Sequence, residues 1–302
     1  HEMTDRREEL KIKTLELENG AKVIDCGIKA LGSFEAAELF VKACLGGLGG
    51  ARFSFRDLET ALLPYIQVWT DFPAVACLAS QKAGWRIIGE DFSALGSGPA
   101  RILARKPKKT LEEVGYEESS DSAVIALECN KYPKAKVAGE IADACGIDAR
   151  ELYVLVARTS SLVGSAQVSA RAIETALFKM ATLGLDFKGV ESALSITPVA
   201  PAIGDDTKMM GTANDMIIYG STVHLVYSGE GMDINKIPSN TSPAYGKPFL
   251  EIFEEAERDF YKINPEVFAP AEVYINDVRK KTIMSAGKVN SEMLIKSMGL
   301  RL

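Results

Sequence analysis

Along most of the chain, short apolar runs alternate with longer stretches of helical period, the pattern of a mixed α and β protein. Residues 15–26 hold two extended runs on either side of Asn19-Gly20, which predicts a hairpin. A helix is predicted over residues 34–44, with Ser33 as its N-cap and the cluster Gly46, Gly47, Gly49 and Gly50 as its stop. Residues 65–70 read as a strand, and Asp71 and Pro73 open a second helix that runs through Ala76 and Ala79 to a stop near Gly84. A strand over 122–127, a helix over 134–145 closed by Gly146, and a strand over 152–157 make a β-α-β unit. The longest helical pattern spans 162–183 and ends at Gly184; residues 216–227 and 271–278 read as strands, with a helix over 247–261 between them. The whole predicts an α+β protein of two lobes, about 1–160 and 161–302. No low-complexity linker separates them, so the lobes are free to exchange segments.

Composition narrows the function. The 302 residues are 47% apolar and 25% charged, enough for one large core or two medium ones. A net charge of −6 lacks the basic footprint of a nucleic-acid binder and favours a small-molecule partner. No run approaches the ~20 apolar residues of a membrane span, and the charged start of the chain does not resemble a signal peptide; a soluble, cytoplasmic protein is expected. Cys26, Cys44, Cys77, Cys129 and Cys145 are widely spaced, and most of them read as reduced core thiols. His1 and His224 are the only histidines, too few for a metal cluster or a histidine triad. Acid–base work falls to carboxylates, Lys, Tyr or Cys.

Two glycine-rich stretches, Cys44-Leu-Gly-Gly-Leu-Gly-Gly50 and Gly96-Ser-Gly-Pro-Ala-Arg101, miss the dinucleotide register, and neither contains a phosphate-loop lysine. The first reads as a helix stop. The second has two readings: an ordinary capped turn, or a helix start where backbone N–H groups, Ser97 and Arg101 converge on an anion. On the long helical pattern, Ile173, Ala176, Leu177 and Met180 form an apolar stripe, with Gln167, Arg171 and Glu174 opposite. Arg171 and Glu174, three apart, are either a solvent-facing salt bridge or, with Gly164, Gln167 and Phe178 beside them, the wall of a cleft.

Seven segments in order carry a family resemblance: Ser80-Gln-Lys-Ala-Gly-Trp85, Gly96-Ser-Gly-Pro-Ala-Arg101, Lys106-Pro-Lys-Lys-Thr110, Gly164-Ser-Ala-Gln167 with Arg171-Ala-Ile-Glu174, Gly211-Thr-Ala-Asn-Asp215, Tyr245-Gly-Lys-Pro-Phe249 and Phe268-Ala-Pro270. Together they resemble the signature runs of the methenyltetrahydromethanopterin cyclohydrolases, from about Leu15 to the C-terminal helix. The family usually has a further segment ahead of this chain's first residue. The resemblance implies a two-lobed α+β enzyme with a large pocket between its lobes, a homo-oligomer of three copies, and a place in the one-carbon metabolism of archaea, methanogenesis included, or of methylotrophic bacteria. No prosthetic group is implied. The tetrahydromethanopterin derivative is the substrate, hydrolysed reversibly from the 5,10-methenyl to the N5-formyl form.

That chemistry calls for a positioned water and a carboxylate, because the methenyl carbon, bridging two nitrogens as an amidinium-like cation, is already electrophilic. The resemblance assigns the carboxylate to Glu174 and its orientation to Arg171. For the phosphate-bearing tail, Lys82, Ser97 and Arg101 are the first candidates. Lys106, Lys108 and Lys109 are read as a solvated loop or as further tail contacts. Asn214, Asp215 and Tyr245 are candidates for the pterin ring or tail, with a turn or helix cap as the alternative for Asn214-Asp215. Two other functions fit the same pterin: a non-catalytic carrier and a formyl-transfer enzyme.

Overall fold

The computed structural model describes residues 1–58, 61–202 and 204–300. Among these, twelve strands form two six-stranded sheets. The first six are β1 Lys13–Glu16, β2 Lys22–Gly27, β3 Gly49–Leu58, β4 Ala61–Thr70, β5 Trp85–Gly89 and β6 Phe92–Ser97. The others are β7 Ala123–Glu128, β8 Leu152–Ala157, β9 Val190–Pro198, β10 Thr222–Tyr227, β11 Glu272–Asp277 and β12 Thr282–Gly287. The chain divides into two compact units, His1–Gly50 with Val75–Gln167, and Ala51–Ala74 with Val168–Leu302.

The sheet of the first unit runs β1-β2-β8-β7-β6-β5. Its centre, β2, β8 and β7, is parallel, and the outer pairs are antiparallel. The Asn19-Gly20 turn joins β1 to β2 as predicted, with Gly20 at φ +82° and the Asn19 amide donating to Ala135 O at 2.8 Å. Alternation along the parallel strands sends Val23, Ile125, Leu127, Val154 and Val156 to one face, where Val137, Ala138 and Ile141 of the helix Ala135–Cys145 cover them. Each large aliphatic side chain buried there stabilises by about 1.5–3 kcal/mol. The helix Phe34–Cys44 packs on β2 and β7, and Ser33 caps it by accepting the Ala36 N–H at 3.0 Å.

The second sheet runs β12-β11-β10-β9-β4-β3, with β10 and β11 parallel. Helices Ala172–Thr182 and Asp206–Gly220 pack against β9, so Ala193, Ser195 and Thr197 are buried while Leu194 between them is exposed. Helices Phe249–Glu255 and Ser291–Met298 pack on Asp206–Gly220. Among the described residues, no helix is long and apolar enough to cross a membrane.

Four elements differ from the sequence expectation. The single helix over 162–183 is two, Leu162–Ser169 and Ala172–Thr182: the Arg171 N–H bonds back three residues to Val168 O, and the ladder restarts with Thr175 N–H to Arg171 O. Gln167 therefore does not share one helix face with Arg171 and Glu174. The helix over 71–84 is a π-helix, Ala74–Gln81, with Lys82 N–H reaching Cys77 O at 2.8 Å. Residues 216–220 are the end of the helix Asp206–Gly220, not the start of a strand. Ile217, Ile218 and Tyr219 look strand-like, but each is at most 2% exposed, and burial on all sides of the helix outweighs their intrinsic preference. Finally, the helix over 247–261 stops at Glu255, because Glu257 and Arg258 adopt left-handed backbone at φ +58° and +61°.

Candidate active site

Arg171 stands at the N-cap of the helix Ala172–Thr182 and Glu174 in its first turn. The Arg171 Nη1 donates to Glu174 Oε2 at 2.9 Å, with the two side chains only 11% and 10% exposed. The reading of this pair as a solvent-facing bridge is thereby corrected. A carboxylate in the first turn is favoured by the helix dipole. The stripe of Ile173, Ala176, Leu177 and Met180 is wholly buried and fixes the helix rotation that sets the carboxylate's direction. An oriented carboxylate shielded from bulk water, with a guanidinium beside it, can take a proton from water and stabilise a nearby cation.

Gln167, 4% exposed near the end of Leu162–Ser169, donates from Nε2 to Glu128 Oε2 at 3.0 Å. Thr159 donates to the other oxygen of Glu128, Oε1. Sequence reasoning missed Glu128: it closes a hydrophobic strand, where a glutamate reads as a solvated end. Gly164 is needed for packing, since a Cβ there would lie 2.0 Å from Arg158 O.

The stretch Gly96–Arg101 does not form the anion-binding helix start considered above. Gly96 and Ser97 belong to β6, where Ser97 pairs with Ala126, and the helix that follows, Ala100–Leu103, is one turn long. Arg101 is fully buried, and its Nη1 donates to the carbonyls of Leu78, Ala79 and Ser80 at 2.9 to 3.2 Å. It braces the end of the π-helix, directly before half-buried Lys82. Gly84 leaves room for the guanidinium, for a Cβ there would sit 2.7 Å from Arg101 Nη2. Lys106 lies outside the helix, but Lys108 and Lys109 begin the helix Lys108–Val114 and face Glu112 and Glu113 in exposed pairs.

Asn214 and Asp215 lie on Asp206–Gly220. Asn214 Nδ2 donates to Met210 O at 2.9 Å. Asp215, 1% exposed, accepts the Phe249 N–H at 2.8 Å and the Ser297 hydroxyl at 2.6 Å, clamping two neighbouring helices. Burial pushes its carboxyl up to about 7, against the pull of the Ser297 and Phe249 hydrogen bonds. Tyr245 packs on Tyr219 with ring centroids 5.0 Å apart and accepts a hydrogen bond from Asn290 Nδ2. All five cysteines are free thiols; burial drives Cys26 far above the ordinary thiol range and Cys145 to about 11, which leaves neither a thiolate nucleophile. Among the described residues, no group of three His, Cys, Asp or Glu side chains is placed to hold a metal ion.

Comparison with known proteins joins these observations. The family model for cyclohydrolase (MCH) matches residues 1–298. A methenyltetrahydromethanopterin cyclohydrolase of Methanococcus maripaludis is 48% identical over 98% of this chain and 94% of its own length. The enzymes of that name from Methanocaldococcus jannaschii and Methanothermobacter thermautotrophicus are each 47% identical over 99% of this chain and 95% and 96% of their own lengths. With a family match spanning both compact units and near-half identity over nearly full length, the chain belongs to the MCH cyclohydrolase family.

Proposed function

We propose that this chain is a methenyltetrahydromethanopterin cyclohydrolase, catalysing the reversible hydrolysis of the 5,10-methenyl cation to the N5-formyl compound. Whole-length family membership is the observation that carries the reading. Glu174 accepts a proton from water as its oxygen bonds to the methenyl carbon, giving a neutral tetrahedral carbinolamine. As the bond from that carbon to N10 breaks, Glu174 returns the proton to N10, and the carbinolamine hydroxyl loses its proton to solvent to become the formyl oxygen. One water is consumed and one proton released, which matches the loss of the substrate's positive charge. Arg171 holds the carboxylate through its 2.9 Å contact and stabilises the emerging formyl oxygen.

Lys82, Ser97, Gln167 and Tyr245 are the binding side chains, with Lys82 taking the anionic tail. Arg101 acts at one remove, by bracing the turn that presents Lys82. In this reading Asn214 and Asp215 hold the fold rather than the substrate, which their bonds to Met210, Phe249 and Ser297 support. The enzyme works in the cytoplasm as a homotrimer. The apolar outer face of the second sheet supports association, since Trp69 and Leu194 sit opposite each other there and are 44% and 49% exposed.

Methenyl absorbance in the ultraviolet tests the assignment. With water as the only co-substrate, adding the purified protein removes the absorbance catalytically. Binding without spectral change would make the protein a carrier, and turnover that depends on a formyl acceptor would make it a transferase.

A further inference from the structure

Two carboxylates stand at one edge of the first unit's sheet, and their surroundings differ. β2, β8 and β7 are parallel neighbours, so their carboxyl ends lie together, the edge where ligands gather on α/β sheets. Near the end of β2, Asp25 accepts the N–H groups of Gly27 and Ile28 on Oδ1, those of Lys29 and Ala30 on Oδ2, and the Tyr132 hydroxyl at 2.6 Å. Five donors exceed the roughly four acceptor sites of a carboxylate, so Asp25 is consumed by its own turn. Glu128 is the last residue of β7, opposite Ala157, the last of β8. It is half-buried and accepts one neutral donor on each oxygen, Thr159 on Oε1 and Gln167 on Oε2. Both donors are nearly buried, at 5% and 4% exposure, so the carboxylate plane is fixed. Among the described residues, no cation pairs with Glu128.

A fixed carboxylate with about one acceptor site left on each oxygen and no counter-charge suits a ligand that offers two parallel N–H donors, because that geometry makes a bidentate, charge-assisted pair. We infer that Glu128, held by Thr159 and Gln167, reads the paired N–H edge of the pterin's pyrimidine ring, its ring N–H and 2-amino group. The inference rests on the cyclohydrolase reading above.

The competing source of positive character is the methenyl carbon itself, and the two are separable because the pyrimidine edge is present in substrate and product alike while the cation is present only in the substrate. Glu128→Gln should weaken binding of the methenyl substrate and of the N5-formyl product by the same factor, about 10–100-fold, the usual range for losing a hydrogen-bonded charge. The loss should appear in KM rather than kcat. A thermal melt checks folding; if Glu128→Gln does not fold, Glu128→Asp, which keeps the charge but withdraws it by one methylene, takes its place. Loss confined to the methenyl form would assign Glu128 to the cation and overturn the inference, as would unchanged affinity for both. A wild-type protein that fails to hydrolyse the substrate would instead overturn the cyclohydrolase reading.

Discussion

The helix Ala172–Thr182 carries an ion pair at each end. At its start, Arg171 meets Glu174 three residues on, with both side chains about one-tenth exposed. Near its end, wholly buried Lys179 meets Glu266, which lies 87 residues further along the chain, and donates to both its carbonyl, at 2.9 Å, and its carboxylate, at 3.0 Å. The second pair ties the helix to a distant segment and so returns stability for the cost of removing its charges from water. The contact between Arg171 and Glu174 closes no such loop, for one helical turn already brings the two residues together. Desolvating an ion pair costs several kcal/mol per ion, and a contact between residues one turn apart does little by itself to offset that cost, which points to chemistry.

If that contrast is right, substitutions at the two ends fail in different ways. The largest effect is expected at the start. Glu174→Gln keeps the size and much of the hydrogen bonding but removes the base, so kcat should fall by roughly 10²–10⁴ with KM and the melting temperature little changed. Arg171→Ala should be similarly severe. The double variant should be barely worse than the worse single one, because each change disables the same water. A pair that served only the fold would show the reverse, a stability loss of about 3–5 kcal/mol with turnover per folded molecule intact.

At the other end, Glu266→Ala strips the counter-charge from a buried ammonium. Unfolding in urea should show a loss at the low end of about 3–5 kcal/mol, since the Glu266 carboxylate is itself a third exposed and its carbonyl remains as an acceptor. Adding Lys179→Met, which replaces the stranded charge by an apolar chain of similar length, should recover much of that loss. Turnover per folded molecule should be unaffected in both. A drop in kcat matching that of Glu174→Gln would erase the distinction between the two ends.

Several regular elements were legible in the chain, for reasons that particular residues show. Asn19-Gly20 can hardly be anything but a hairpin turn, and Ser33 with Gly46, and Gly146 after Cys145, bracket their helices by side-chain chemistry that acts locally. What was not legible is set by contacts distant in sequence. No glycine or proline marks the break at Arg171, so periodicity ran through it. The π-helix depends on Arg101, twenty or more residues away, to satisfy its last carbonyls. In the site, Arg171 and Glu174 could be paired from their spacing, but their burial could not. Glu128 needed the sheet order, which places β7 beside β8, before it could be seen as a held carboxylate.

The smallest expected effect concerns a buried carboxylate that, among the described residues, pairs with no cation. Asp215 carries its proton in the fold up to about pH 7, whereas an unfolded aspartate gives it up near 3.9. The folded value is raised, so the folded state binds more protons between these limits, and stability must fall as pH rises through that window. The contribution is fully present below about pH 4, declines toward pH 7 and stays lost above it. One unit corresponds to about 1.4 kcal/mol, which sets an upper bound near 4 kcal/mol, and relaxation around a buried charge brings the expectation to the order of 2 kcal/mol. Asp215→Asn can still accept from the Phe249 N–H while its amide donates to the Ser297 oxygen, and it does not titrate. Urea unfolding should therefore find variant and wild type about equal near pH 4 and the variant more stable at pH 8. Turnover should follow the wild-type profile across the same range. A fall of 10²-fold or more in kcat for this variant would instead move the base from Glu174 to Asp215, and with it the contrast drawn along the helix Ala172–Thr182.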